Sequence, residues 1–157
     1  MPEFEALLAE FTAAVEAGDG ARLAALFCED GVYNDIFYGA FRGRDAIAEM
    51  IDQHFWGHAR DFVWEMKAPV CDGRTGYAQY VFSYTSTIDE AAGRRVVFEG
   101  FSRFDLTDGA IQEYSEVFDA GLALAQLGFP PPRLARHLDK AAGRLHEKYR
   151  GTRHIKG

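Results

Sequence analysis

Residues 25–47 read ALFCEDGVYNDIFYGAFRGRDAI and place one carboxylate, Asp35, in the middle of an aromatic strand between two amphipathic helices. The segment 32–37 is too apolar for a solvated loop, so a charge inside it either faces water or lines a pocket. In a pocket of low dielectric, the pKa of Asp35 would rise from about 3.9 toward the range useful for proton transfer. This stretch therefore predicts a strand that carries a candidate acid or base.

Apolar residues recur at helical spacing on both sides of this strand. A first helix is predicted to stop at Gly18, and a short second helix follows it. A third helix is predicted over residues 47–55, with Asp45 in its first turn where the helix dipole favours a negative charge. The face of the first helix consists of Phe4, Leu7, Leu8, Phe11 and Val15.

From residue 61 onward the hydrophobic period changes from 3.6 to 2. Residues 62–70, 77–88, 95–106 and 110–118 are predicted to be four long strands, separated by hairpin-length gaps. The strongest turn signal among these gaps is Asp108-Gly109. Helices followed by a meander of strands predict an α+β fold, in which a cone-shaped, curved antiparallel sheet wraps around the N-terminal helices.

A helical tail follows the last strand. A short helix is predicted to end at Gly128, and a final amphipathic helix follows Pro130. We expect a cone-shaped domain over residues 1–128 and a helical extension over 129–157 that packs on the same domain or on a dimer partner. The apolar stripe of the extension consists of Leu134, Leu138, Ala141, Leu145 and Tyr149.

Composition excludes several functional classes. The net charge of −7 argues against nucleic acid or an anionic membrane as a partner, since both require a basic surface. Cys28 and Cys71 have apolar neighbours and are expected to be small buried residues in a reducing compartment. With no basic start and no continuous apolar run near Met1, a cytoplasmic location without signal peptide or membrane span is expected.

The sequence resembles the nuclear transport factor two-like superfamily, which includes ketosteroid isomerase, SnoaL-type polyketide cyclases and limonene-epoxide hydrolase. The resemblance covers roughly residues 3–128 and rests on Ala17-Gly18-Asp19, residues 26–30, Tyr33-Asn34-Asp35, Gly43 and Phe118-Asp119. It implies a cone that opens into the active site and a homodimer formed through the outer face of the sheet. The fold alone does not fix the reaction, because one fold hosts many chemistries.

Comparison with ketosteroid isomerase assigns Asp35 the position of the general base, which moves a proton between carbons next to a carbonyl. Tyr33 lies two residues earlier, shares the same strand face, and could orient the substrate or belong to the core. The position of the oxyanion-binding tyrosine is Phe11 here, and the second acid's position falls near Gly100. Steroid isomerisation itself is therefore not expected.

Comparison with limonene-epoxide hydrolase points to Glu116. There Tyr33 matches the water-holding tyrosine, Asp35 replaces an asparagine, and Glu116 replaces the aspartate that activates water. The arginine–aspartate pair of a central strand is missing, because residues 79–85 carry no charge. Glu116 could be a base, a solvated strand glutamate or an ion-pair partner of Arg103.

Two histidines lie one helical turn apart. His54 and His58 could bind zinc with a third ligand, but no H-E-x-x-H pattern is present, and neither a metal nor a cofactor is expected. His54 is the histidine predicted to serve Asp35. The remaining residues predicted to bind substrate are aromatic: Phe11, Trp56, Trp64, Tyr80, Phe82, Tyr84, Tyr114 and Phe118.

These observations favour a small enzyme of the isomerase, dehydratase or cyclase type, acting on an apolar cyclic or carbonyl-bearing molecule. Two alternatives remain: a non-catalytic pocket protein or dimerising scaffold, and a hydrolase that uses Glu116 and water. We predict that Asp35 is poorly exposed and within about 4 Å of a tyrosine hydroxyl, since a buried ionisable group needs a partner. We also predict that Asp35 and Glu116 open onto one cavity.

Overall fold

The computed structural model describes residues 1–156. Two helices, α1 (Pro2–Ala17) and α2 (Gly20–Ala24), open the chain, and Gly18 ends α1 in the left-handed conformation. The side chain of Asp19 caps α2 by accepting a hydrogen bond from the backbone N–H of Arg22. Phe4, Leu8 and Phe11 on α1 are buried, which confirms the apolar face predicted for this helix.

The strand that carries Asp35 is β1 (Phe27–Asp35). A short strand that the sequence pattern does not predict, β2 (Gly39–Arg42), folds back and pairs antiparallel with β1. The next helix, α3 (Arg44–Glu49), continues as a π-helical segment, Met50–Phe55. The apolar pattern predicts a helix over these residues, and the structure has one. The pattern does not reveal that the second half of this helix is wound more widely, as a π-helix.

Four long strands follow: β3 (Ala59–Cys71), β4 (Thr75–Ser86), β5 (Arg95–Thr107) and β6 (Ala110–Phe118). A 3-10 turn, Asp89–Ala91, lies between β4 and β5. The sheet order is β2-β1-β6-β5-β4-β3, antiparallel except for the parallel pair β1–β6. Asp108 and Gly109 both have positive φ at the β5–β6 hairpin, as their turn signal predicts. The predicted α+β sheet is thus confirmed.

The concave face of the sheet and the helices enclose one aromatic core. Alternation along β5 directs Val96, Phe98 and Phe104 inward and Val97, Glu99 and Phe101 outward. Cys28 and Cys71 are free thiols and only half-buried, so the expectation that both are core residues does not hold. They lie in the outer segments of β1 and β3, where the strands are partly open to solvent.

The chain ends in α4 (Ala120–Gln126) and α5 (Pro131–Lys148). The side chain of Asp119 caps α4 by accepting a hydrogen bond from Leu122 N–H. Leu134 packs against the core, whereas Leu138 and Leu145 are exposed. None of the helices within residues 1–156 has the length and apolar character needed to cross a membrane.

Candidate active site

A cavity of about 210 Å³ lies between the concave face of the sheet, the π-helical segment and α4. Asp35 and Glu116 both line it, which confirms the prediction that they share one cavity. Most of the remaining wall is aromatic. Four of the residues predicted to bind substrate belong to this wall: Trp64, Phe82, Tyr84 and Phe118.

Asp35 ends β1 at the cavity and is 9% exposed. Its Oδ2 accepts hydrogen bonds from the backbone N–H groups of Phe37 and Tyr38, at 2.8 and 2.9 Å. Burial raises the pKa of Asp35, while these two amides and the nearby charge of His54 act in the opposite direction. Asp35 is thus poorly exposed, as predicted, and its hydrogen-bond partners among residues 1–156 are backbone amides and not a tyrosine hydroxyl.

Glu116 lies on β6 and accepts two tyrosine hydroxyls at one oxygen. Oε2 receives the hydroxyl of Tyr80 at 2.8 Å and that of Tyr114 at 3.0 Å. The Tyr114 hydroxyl is 3.0 Å from Oγ of Ser102, which is fully buried, so a short polar network runs from the cavity into the core. Burial and the charge of Asp35 raise the pKa of Glu116 to about 8, although the two tyrosines act to lower it.

The two carboxyl groups therefore differ in their environments. Glu116 keeps its proton at neutral pH because its pKa is about 8. Asp35 is held by two backbone donors that favour its ionised form. A carboxyl group that keeps its proton, beside one whose ionised form receives two backbone donors, can supply an acid and a base for a single reaction.

Tyr33 is fully buried between β1 and α1, with its ring stacked on Phe11 at 6.2 Å between centroids. Its hydroxyl makes no well-formed hydrogen bond among the described residues, but it lies close enough to Tyr114 for that side chain to oppose the effect of burial on its pKa. Burial, and next the charge of Glu116, raise the pKa of Tyr33 well above its ordinary value, so the hydroxyl stays protonated and can only be a neutral donor or acceptor.

Four residues that were expected to bind substrate do not line the cavity. Phe11 lies behind Tyr33 in the core, and Trp56 points to α1, where its Nε1 donates to the Val15 carbonyl at 3.0 Å. Tyr80 and Tyr114 support Glu116 from behind. The spacing of these residues on strands and helices predicts that their rings lie near the pocket. It does not distinguish a ring that lines the pocket from a ring that is buried in the core behind it.

His54 and His58 line the cavity and flank Tyr38. The ring centroid of Tyr38 is 4.8 Å from that of His54 and 6.4 Å from that of His58. His54 influences Asp35 by its charge, with no hydrogen bond between the two side chains among those of residues 1–156. Over the same residues, no group of three or more His, Cys, Asp or Glu side chains is arranged to hold a metal ion.

Sequence reasoning missed Ser102 and the role of Gly100. A Cβ atom at Gly100 would lie 2.5 Å from the Tyr80 hydroxyl oxygen and 2.6 Å from the Val117 carbonyl oxygen. Only glycine leaves room there for Tyr80 to reach Glu116. The available signal was a glycine in the middle of a regular strand, which often marks a close approach.

Comparison with known proteins agrees with this architecture. A sequence model of the SnoaL-like domain matches residues 8–114. A hypothetical protein from Catenulispora acidiphila with a ketosteroid isomerase-like fold, solved in complex with trimethylamine, is 18% identical with a TM-score of 0.71. The match covers 79% of this chain and 93% of that protein. An LEH-like epoxide hydrolase from Mycobacterium tuberculosis is 19% identical with a TM-score of 0.66, covering 91% and 97% respectively.

A putative polyketide cyclase from Xanthomonas campestris is 23% identical with a TM-score of 0.67, and the match covers 80% of this chain and 97% of the cyclase. No curated protein matches the sequence. At these identities the similar structures establish the fold alone. The reaction has to be argued from the side chains in the cavity.

Proposed function

The chain belongs to the SnoaL-like domain family, and from this premise we propose that it is a small-molecule enzyme of the isomerase, dehydratase or cyclase type. Its substrate would be an apolar cyclic or carbonyl-bearing molecule. The observation that carries this proposal is the pair of unlike carboxyl groups, Asp35 and Glu116, in one aromatic cavity. An enzyme that moves protons at neutral pH needs such a pair.

In the proposed reaction Asp35 is the base. It removes a proton from the carbon next to a carbonyl, while protonated Glu116 donates its proton to the carbonyl oxygen or to a departing hydroxyl group. In an isomerisation, Asp35 then returns its proton to a different carbon while Glu116 takes its own proton back from the enol oxygen. In a dehydration, the departing hydroxyl group leaves as water with the Glu116 proton, and proton exchange with solvent restores both carboxyl groups after the product leaves. The apolar wall excludes water and strengthens both interactions, because a low dielectric screens charge poorly.

The tyrosines would contribute by holding Glu116 in place. Tyr80 and Tyr114 fix Oε2, so the proton of Glu116 is best carried by Oε1, the oxygen without these two partners. His54 would tune Asp35, because a positive charge on its ring favours the ionised carboxylate and weakens it as a base. Of the two residues predicted to be catalytic beside the carboxylates, His54 thus has an electrostatic role, whereas Tyr33 makes no direct contact with Glu116 among the hydrogen bonds of residues 1–156.

A hydrolase that activates water is the second candidate, favoured by the similarity to the LEH-like epoxide hydrolase. In that mechanism Glu116 would have to be ionised to accept a proton from water. A pKa of about 8 leaves it mostly protonated at neutral pH, so this activity would increase as the pH rises through about 8. In the acid–base mechanism Glu116 must be protonated, so that activity would instead decrease as the pH rises through about 8.

The test uses hydrogen exchange into a carbonyl probe. Wild-type protein in deuterated buffer should speed deuteration of cyclohexanone next to its carbonyl, as followed by proton NMR. Asp35→Asn and Glu116→Gln should each slow the reaction by about 100-fold or more. Glu99→Gln is the matched control, since Glu99 is an exposed glutamate on the outer face of β5, and it should retain full activity.

The alternatives give different results in the same samples. Conversion of cyclohexene oxide to its diol, without exchange into cyclohexanone, would favour the hydrolase. Binding of either probe with neither reaction above the buffer rate would favour a non-catalytic pocket protein and contradict the proposal.

A further inference from the structure

The wall residues that solvent reaches show where the cavity opens. Tyr38 is 45% exposed and Ile88 is 39% exposed, whereas Trp64 and Phe98 in the same wall are 4% and 6% exposed. Phe129, just before α5, also belongs to the wall and is half-buried. The entrance therefore lies beside Tyr38, Ile88 and Phe129.

One arginine packs directly on this entrance. The guanidinium carbon of Arg133 lies 3.9 Å from the ring centroid of Phe129. Arg133 also pairs with Glu90, at 3.4 Å, in the turn that follows Ile88 and also contains Asp89. Both members of this ion pair are well exposed, and an exposed pair at this distance contributes little, so Arg133 remains available to another anion.

A second arginine, Arg94, is seated against Gly128, the residue before Phe129. A Cβ atom at Gly128 would lie 2.8 Å from Cζ of Arg94 and 2.9 Å from each Nη, so only glycine leaves room for the guanidinium group. The hydrogen bonds of Arg94 involve its backbone, and within residues 1–156 its side chain has no carboxylate partner. Arg94 is thus a seated, unpaired cation next to the cavity wall.

The charges of the entrance and of the interior differ. A guanidinium group presents a planar fork of N–H donors that matches a carboxylate or a phosphate. Three histidines are close to the same entrance: His54 and His58 line the cavity, and His137 lies against a wall residue. The carboxyl groups of Asp35 and Glu116 are buried farther in, behind aromatic side chains. An anion is therefore favoured at the entrance and an apolar group inside.

We propose that Arg94 and Arg133 form an anion-binding site at the entrance, and that the ligand of the cavity has an apolar part inside and a carboxylate or phosphate group outside. Arg94 supplies the larger share, because Glu90 competes for Arg133. The inference rests on the proposed function only in calling this ligand a substrate, since a non-catalytic pocket would bind the same class of molecule. Both arginines determine specificity and take no part in proton transfer.

The experiment measures binding by calorimetry and needs no turnover. Its ligands share a cyclohexyl ring and a butyl chain and differ in the end group: cyclohexylbutanol, cyclohexylbutanoate and cyclohexylbutyl phosphate. At neutral pH one or both anions should bind about tenfold more tightly than the alcohol. The tighter of the two identifies the group as carboxylate or phosphate. This advantage should shrink as the salt concentration rises, because salt screens exposed charges.

Variants locate the site. Arg94→Gln should remove most of the advantage of the anions and leave the affinity for the alcohol nearly unchanged, Arg133→Gln should have a smaller effect of the same kind, and Arg94→Lys should retain part of the advantage. Arg74→Gln is the matched control, because Arg74 is an exposed arginine between β3 and β4 and lies outside the cavity wall. It should change the affinity for none of the ligands.

Several results would overturn the inference: equal affinity of wild type for the alcohol and both anions, an Arg94→Gln loss that is the same for all the ligands, an equal loss in Arg74→Gln, or no binding of any ligand. The cyclohexanone exchange reaction tests the acid–base proposal separately. Anion binding through Arg94 without deuteration of cyclohexanone supports the entrance site and contradicts the catalytic mechanism. Deuteration without any preference for the anions does the reverse.

Discussion

The hydroxyl of Tyr80 on β4 reaches across β5 to Glu116 on β6, with 2.8 Å between the hydroxyl oxygen and Oε2. The path is open because Gly100, the β5 neighbour of Tyr80, has no side chain. A hydrogen bond to the ionised form of a carboxyl group stabilises that form. Tyr80 therefore opposes the effect of burial on Glu116 and keeps its pKa from rising further.

Removing this hydroxyl should make Glu116 a weaker acid. In Tyr80→Phe we expect the pKa of Glu116 to rise from about 8 by roughly one unit, because one of its two donors is lost. NMR titration of the Glu116 side-chain carbon measures the shift. Tyr77→Phe, on the exposed outer side of the same strand, is the control and should leave the pKa where it is. A lower or unchanged pKa in Tyr80→Phe would show that the hydrogen bond has no electrostatic effect.

This network also shows where sequence reasoning reaches its limit. Periodicity predicts the helices, the four long strands and the position of Asp35, because local burial sets the pattern. The bond between Tyr80 and Glu116 depends on the register of three strands, which the sequence alone does not define. Gly100 lies near the position at which ketosteroid isomerase has its second acid. Because it has no side chain, it leaves the space through which Tyr80 reaches Glu116. Only the paired strands reveal this relationship.

The raised pKa of Glu116 should make the folded protein less stable at alkaline pH. The folded state binds the proton up to about pH 8, whereas the unfolded chain releases it near the ordinary value of 4.5. This contribution to stability is fully present below the unfolded pKa and is lost as the pH rises through the folded one. Asp35 acts in the same direction, because its pKa is also raised.

We expect Glu116→Gln to gain stability relative to wild type between about pH 5 and pH 8, by up to about 5 kcal/mol. Urea unfolding at several pH values measures the free energy of both proteins. Glu99→Gln should change in stability by the same amount at every pH in this range, since Glu99 lies on the outer face of β5 and outside the cavity. A constant difference between Glu116→Gln and wild type across this range would mean that Glu116 titrates normally in the folded state.

The outer face of the sheet carries exposed apolar side chains on neighbouring strands. Phe101 on β5 is 61% exposed and is paired with Val117 on β6, which is 73% exposed. Adjacent exposed apolar residues on a flat surface are typical of protein interfaces. We propose that this face joins two copies of the chain, as the resemblance implies.

Phe101→Glu should separate the dimer, because burying two like charges at a shared interface is unfavourable. Light scattering should give twice the 17.5 kDa chain mass for wild type and a single chain mass for the variant. Val70→Glu places the same charge at a similarly exposed position of the edge strand β3 and should remain dimeric. A monomeric wild type, or a dimeric Phe101→Glu, would place the interface elsewhere or exclude it.

The C-terminal helix meets the cavity only at its beginning. Phe129 lines the cavity just before α5, and the ring of His137 lies 6.2 Å from that of Phe37, another wall residue. Farther along the helix, Leu145 and Tyr149 are exposed. We therefore expect the first turns of α5 to limit access to the cavity, whereas Leu145 and Tyr149 near its end are not covered.

Truncation after Gly128 should leave a folded dimer that exchanges ligand faster, because it removes Phe129 and the helix beside Phe37 while sparing every strand of the sheet. Stopped-flow release of a fluorescent apolar probe measures the exchange, and light scattering measures the mass. Truncation after Arg150 is the control, since it keeps all of α5 and should release the probe at the wild-type rate. An unchanged rate of probe release after truncation at Gly128 would show that α5 does not restrict access to the cavity. Dissociation into monomers would show instead that the exposed stripe of α5 packs on the partner subunit.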